Sequence, residues 1–242
     1  MKRSHKIVLG IAVTIGLMAM NPNRTFSQDG YYKTTRDLET WTTLSLKVKP
    51  FKKFSFGLDQ GFRFNYNSTI LDQALTDFYV GFKPVKFLEL GGGVRYIADR
   101  GNNGLFDNDL RFNVDAALNH SIKRLDFNHR IRYQNKNEMG LSSDDGDVFK
   151  NYFRYKSELK YNIKNWKFDP EISAEVFHDL TRGTGGLDLM RLTAGTSYET
   201  KKFGKFGLAY RMDRELFVGY PKTTNIFCFN YTYTINPKKD KQ

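Results

Sequence analysis

The feature that most constrains this chain is a strict alternation of apolar and polar residues over unusually long segments. In residues 54–66, FSFGLDQGFRFNY, every even position except Gln60 is aromatic or leucine, and the odd positions are Ser, Gly, Asp, Arg and Asn. Successive side chains of a β-strand point to opposite faces, so this pattern predicts a strand with one apolar and one polar face. It exceeds the usual strand length of about 5–6 residues. It suits a tilted strand that crosses a bilayer, which needs about 9–11 residues.

The same alternation recurs along the rest of the chain, and no segment carries a convincing helical period. It returns in residues 88–96, 110–119, 125–134, 171–176, 207–212 and 227–234. Short connections that contain lysine alternate with longer ones rich in Gly, Asn and Asp. The short ones are 49–53, 83–86, 120–124, 162–165 and 199–205, and the longer ones are 67–72, 99–107, 135–147, 181–187 and 213–222. The pattern predicts successive antiparallel hairpins.

The N-terminus has the pattern of a secretory signal. Lys2, Arg3 and Lys6 precede an uncharged apolar run at residues 7–20, and the small residues Thr25 and Ser27 fit a cleavage site. A membrane-anchoring helix is the alternative interpretation. The predicted organisation is a signal peptide at 1–27, an N-terminal segment at 28–37, a barrel at 38–235 and a polar tail at 236–242.

These features together predict an all-β chain that forms a transmembrane, antiparallel, up-and-down β-barrel in the bacterial outer membrane. Its short turns would lie in the periplasm and its longer loops outside the cell. Eleven strands can be counted, but single-chain bacterial barrels have even numbers. We therefore expect twelve strands, with a short extra one within residues 30–37, or ten as the alternative. Alternation alone also allows a soluble secreted β-barrel that binds a ligand on an inward apolar face.

Several segments resemble a family of outer-membrane proteins of two-membrane bacteria that is known only as domain of unknown function 2490. The resemblance covers about residues 38–235 and implies an outer-membrane barrel, but it supplies no activity. The segments that carry it are LETWTTLSLKVKPFKKFSFGLDQGFRF, HRIRYQNK, YFRYKSELKYNI, ISAEVFHDL, MRLTAGTSYET and YRMDREL.

If the apolar face meets lipid, the polar positions line the lumen. The basic candidates are Arg63, Arg95, Arg111, Arg130, Arg132, Arg154, Arg191 and Arg211, and the acidic ones are Asp59, Glu89, Asp109, Asp115, Asp126, Glu158, Glu171 and Glu175. Opposite charges on neighbouring strands can pair and form a rigid, plugged structural barrel. Alternatively, the arginines line a narrow channel that prefers anions.

The predicted partners follow from this location. We expect a monomer in contact with outer-membrane lipid. The barrel-assembly machinery would recognise this chain through its last strand, at about 223–235, with the assembly signal at 227–235. The formal net charge is +12, but the basic residues are spread along the chain rather than clustered, so no nucleic-acid partner is expected.

An enzyme that acts on lipids is the alternative from another functional class. His178 falls in the lipid-facing series near the outer end of its predicted strand, where a general base could serve a lipid-facing site. No spacing rule places a nucleophile beside it, so no catalytic residue is assigned, and no metal ligand or cofactor is predicted. The single cysteine, Cys228, excludes an intramolecular disulfide.

Overall fold

The computed structural model describes residues 36–101, 103–140, 150–180, 186–200 and 202–236. These residues belong to one compact unit, Thr34–Gln242. The predicted signal peptide at 1–27, the segment 28–35 and residues 237–242 of the tail lie outside the described residues.

Within the described residues, eleven β-strands form a single closed barrel. Each strand pairs antiparallel with its neighbours in sequence, as the alternation and the turn residues predict, and β1 pairs with β11 in parallel to close the sheet. The strands are β1 (Arg36–Val48), β2 (Phe54–Asn65), β3 (Ile70–Val85), β4 (Leu88–Arg100), β5 (Phe106–Ile122), β6 (Leu125–Glu138), β7 (Lys150–Tyr161), β8 (Phe168–Asp179), β9 (Gly186–Thr200), β10 (Gly204–Glu215) and β11 (Thr223–Ile235).

The two rims of the barrel carry different connections. At the turn end the chain passes from β1 to β2, β3 to β4, β5 to β6, β7 to β8 and β9 to β10, and at the loop end it passes from β2 to β3, β4 to β5, β6 to β7, β8 to β9 and β10 to β11. β1 starts at the loop end and runs to the turn end. Because β11 runs parallel to β1, Arg36 lies at the loop end and Ile235 lies at the turn end.

The expectation of twelve or ten strands is wrong for the described chain, which has eleven. β1 pairs with β2 on one edge and with β11 on the other, in an unbroken register from Arg36↔Thr223 to Val48↔Ile235. Both edges of β1 are therefore occupied, and no edge is left for a further strand. Of the segment 30–37 expected to hold one, residues 36 and 37 already belong to β1, and residues 30–35 lie outside the described residues. The barrel is mixed rather than purely antiparallel.

The apolar face of the sheet points outward. Phe78, Val114 and Ile172 are 50%, 59% and 58% exposed, whereas Arg154 and Glu175 are buried inside. Among the described residues, the only buried hydrophobic side chains are Leu75, Ile97, Ile226 and Cys228. The soluble alternative needs the reverse arrangement, with the apolar residues inside and the charges outside. No helix in the described part of the chain is long and apolar enough to cross a membrane.

A basic chamber inside the barrel

Two of the cavities inside the barrel share part of their walls. The larger, which we call the basic chamber, has a volume of about 460 Å³ and lies at mid-height and toward the loop end. The smaller, which we call the lower chamber, has a volume of about 360 Å³ and lies toward the turn end. Both are lined by Asp59, Asp77, Arg95, Arg130 and Arg132, so these side chains form the level at which the two cavities meet.

Strand register decides which charges pair in the lumen. Arg132 stands directly opposite Asp115, and Arg191 stands directly opposite Asp213. Arg132 donates from Nε and Nη2 to the two carboxylate oxygens of Asp115, each at 2.6 Å. Arg191 donates to Asp213 in the same forked way, at 2.7 and 2.5 Å. Two parallel charge-assisted bonds fix the guanidinium in one orientation.

A third fork and a shared carboxylate continue this network. Arg95 donates from Nε to Oδ1 of Asp77, its cross-strand partner, at 2.5 Å, and also pairs through Nη2. Glu175 accepts from Nη2 of Arg130 and from Nη2 of Arg154, both at 2.9 Å. Together the pairs link β3 to β4, β5 to β6, both β6 and β7 to β8, and β9 to β10 on the inner face.

Three chamber arginines have no carboxylate partner among the described residues: Arg63, Arg111 and Arg211. Arg63 donates to the side-chain oxygen of Gln73 at 2.7 Å, and Arg211 makes a long bond of 3.4 Å to Thr193. The side chain of Arg111 makes no hydrogen bond to a described residue, and its Nε is buried without a partner.

Trp41 is the centre of the cationic cluster. Its ring centroid lies 3.7 Å from the guanidinium carbon of Arg63, 5.0 Å from that of Arg211 and 5.2 Å from that of Arg191. The negative face of an aromatic ring attracts cations at such distances. The indole Nε1 donates to Glu39 at 2.7 Å, which fixes the plane of the ring.

The charge of the basic chamber does not balance. Its described lining has nine basic side chains, Arg63, Arg95, Arg111, Arg130, Arg132, Arg154, Lys156, Arg191 and Arg211, and five acidic ones, Asp59, Asp77, Glu158, Glu171 and Glu175. Asp115 and Asp213 lie behind this lining on their arginines. Counting them leaves nine bases against seven acids.

The structure brings most of the residues predicted for the lumen together. All eight predicted arginines line the basic chamber, with Asp59, Glu158, Glu171 and Glu175. Glu89 and Asp115 line the lower chamber. Asp109 and Asp126 line neither cavity. Asp109 pairs with Lys136, and Asp126 accepts a hydrogen bond from Ser121 near the turn end.

Sequence reasoning missed Trp41, Lys156 and Asp77. Their positions carried a signal that could have found them, since each lies in the polar series of its strand. Trp41 falls in the same alternate series as Glu39, Thr43, Ser45 and Lys47, and it is the one aromatic residue among these polar positions.

Comparison with protein families supports the resemblance found in the sequence. A model for the family described as "Protein of unknown function (DUF2490)" matches residues 38–218, which is more than half of the chain. The chain belongs to the DUF2490 family. A search of curated proteins finds no matching relative.

The three histidines of this DUF2490 barrel that lie beyond residue 27 are all on the outer face. His120 lies in β5, stacks on Phe127 at 4.7 Å and lies 5.7 Å from the ring of His129. His129 Nδ1 is 3.0 Å from the hydroxyl of Tyr155. His178 faces Phe153 and Leu187 across its two neighbouring strands, so its cross-strand partners carry no nucleophile. In the described part of this family member, no group of three or more His, Cys, Asp or Glu side chains is arranged to hold a metal ion.

Proposed function

We propose that this protein is an integral outer-membrane β-barrel that forms a narrow, anion-preferring passage. One observation carries the proposal: the barrel has its apolar side chains outside and its ion-paired charges inside. In water, an exposed apolar surface of this extent is a strong liability. In a bilayer the same surface is solvated by lipid, and a closed sheet satisfies every backbone group internally.

Aromatic residues near both rims support placement in a membrane. Phe87, Trp166 and Phe203 are exposed at the turn end, and Tyr66 and Tyr220 are exposed at the loop end. Aromatic girdles at the two interfaces are typical of outer-membrane barrels. In this arrangement the turn end faces the periplasm, and the loop end faces outward.

The preference for anions follows from the uneven charge of the basic chamber. Arg63, Arg111 and Arg211 have no carboxylate partner among the described residues, so they leave a positive potential at mid-height in the lumen. Positive rings in pores attract anions and exclude cations. The paired side chains around them narrow the lumen, so only small solutes are expected to pass. A plugged structural barrel is the competing proposal, and the forked ion pairs favour it.

The partners we propose are outer-membrane lipid and, through β11, the barrel-assembly machinery. We propose a monomer, because every strand edge of the barrel is already paired. No observation favours a lipid-acting enzyme at His178, whose cross-strand neighbours are apolar.

The test is the reversal potential of the purified, refolded chain in a planar bilayer with a KCl gradient. The matched variant is Arg63→Gln/Arg211→Gln. It removes two arginine charges that have no carboxylate partner among the described residues, and it breaks no ion pair. We expect discrete conductance with anion selectivity, and a reversal potential that moves toward zero in the variant. Cation selectivity in the wild type would contradict the proposal, and a folded barrel without conductance would favour the plugged alternative.

A further inference from the structure

The strongest unexplained group in the lumen is the guanidinium of Arg111. The side chain is only 8% exposed, yet it lines the basic chamber. Its Nε is buried without a hydrogen-bond partner, and its two terminal nitrogens donate to no described residue. Buried charges in folded proteins are normally paired, because burial without a partner is costly.

The strands around Arg111 make its position more unfavourable. Its cross-strand neighbours are Arg95 on β4 and Lys136 on β6, both of which are basic. Like charges directly opposite each other destabilise a sheet. Both neighbours already have acids of their own, Asp77 for Arg95 and Asp109 for Lys136. The acids nearest to these two neighbours are therefore already engaged, and Arg111 forms no ion pair with a described carboxylate.

The electrostatic surroundings point to a ligand of negative charge. Arg111 interacts with the charges of Arg95, Arg154 and Arg132, and Asp77 is the acid that opposes them. The guanidinium forks of these three neighbours are turned toward their own carboxylates. Of these four arginines, Arg111 is the one that lines the cavity without an ion pair to a described carboxylate.

We propose that the basic chamber binds a phosphate group, with Arg111 as its principal ligand. A guanidinium presents paired donors in a planar fork that matches the oxygens of a phosphate. The chamber and the acids behind it have an excess of two positive charges, which a doubly charged oxyanion neutralises and a chloride ion does not. The cavity of about 460 Å³ has room for free phosphate or for the phosphate of a small monoester.

The inference rests on the proposed function, since it requires that anions reach the chamber from water. To the proposed anion passage it adds a site at which phosphate binds. Such a site would slow phosphate relative to chloride, because an ion that binds must also leave.

The experiment measures the binding of inorganic phosphate and of glycerol 3-phosphate to the detergent-folded full chain by equilibrium dialysis. We expect saturable binding at one site, weakened about tenfold to a hundredfold in Arg111→Gln, as for the loss of charge-assisted hydrogen bonds. Arg111→Lys keeps the charge but loses the fork, and we expect an intermediate loss. The matched control is Lys160→Gln/Asp169→Asn, which removes a neutral ion pair that lines neither chamber, and it is expected to bind within about threefold of the wild type.

The folding of every variant is checked by the heat shift of its gel mobility. Tighter binding of inorganic phosphate would identify the free ion as the ligand, and tighter binding of glycerol 3-phosphate would identify a monoester. No saturable binding of either probe to folded protein, or equal binding by the wild type and Arg111→Gln, would overturn the proposal. A barrel that binds phosphate but passes no current would keep the site and refute the channel. A barrel that conducts chloride without binding phosphate would refute the phosphate site and keep the channel.

Discussion

At the scale of single residues, the barrel depends on close approaches that only glycine permits. Gly204 opens β10 at the turn end with φ of +82°, and a methyl group there would lie 2.4 Å from the carbonyl oxygen of Thr232. Gly140 has a similar φ of +88°, but a methyl group there would meet nothing within 4 Å. Both positions therefore require a positive φ, and they differ in that only at Gly204 would a methyl group collide with the backbone of a neighbouring strand.

Gly204→Ala is expected to lower the free energy of unfolding by about 1–3 kcal/mol more than Gly140→Ala, because overpacking adds to the strain common to both. The measurement is urea unfolding of the refolded protein in lipid vesicles, followed by tryptophan fluorescence. Equal losses in the two variants would mean that β10 and β11 are not in contact at this point.

At the scale of elements, the parallel seam between β1 and β11 is the least ordinary part of the fold. It sets the strand number at eleven and places the start of β1 and the end of β11 at opposite rims. The register brings Trp41 directly opposite Cys228. A seam with a twelfth strand would separate these residues by two strand spacings instead of one.

Trp41→Cys is expected to form a disulfide with Cys228 on mild oxidation, because paired strands lie about 4.8 Å apart, within the range that a disulfide spans. Thr43→Cys is the matched control. It lies on the same face, but it is two residues farther along β1, about 8 Å from Cys228. Thiol titration of the folded protein reads out both variants. Free thiols in oxidised Trp41→Cys would contradict the eleven-stranded seam.

The alternation was sufficient to predict most of the strands, but the seam could not be predicted. Period-two patterns such as residues 54–66 are local, so each strand and its faces could be predicted from neighbouring residues. The pairing of β1 with β11 joins the two ends of the chain, and no local pattern encodes it. The expectation of twelve strands came from a rule about other barrels, and the direct pairing of β1 with β11 makes it wrong here.

At the scale of the whole molecule, apolar and charged side chains occupy opposite faces of the barrel wall. The apolar side chains face outward, and the paired charges face the interior. The sequence predicted which residues share the inner face, because face follows from parity along a strand. It could not predict the partners, such as Glu175 with both Arg130 and Arg154. Those depend on register, which shifts at irregularities such as the one between Phe177 and His178.

The inside-out arrangement is the central claim, and the two tryptophans of the chain allow a direct test of it. Trp41 lies in the lumen, so Trp166→Phe leaves one inward reporter. Trp41→Phe/Trp166→Phe/Phe78→Trp places one outward reporter at mid-height, where Phe78 is 50% exposed. The measurement is fluorescence quenching of both variants, refolded in vesicles of phospholipids brominated in the acyl chains. Strong quenching at position 78 with little at Trp41 is the predicted result. Little quenching at position 78, or stronger quenching of Trp41, would contradict a barrel whose apolar face meets lipid.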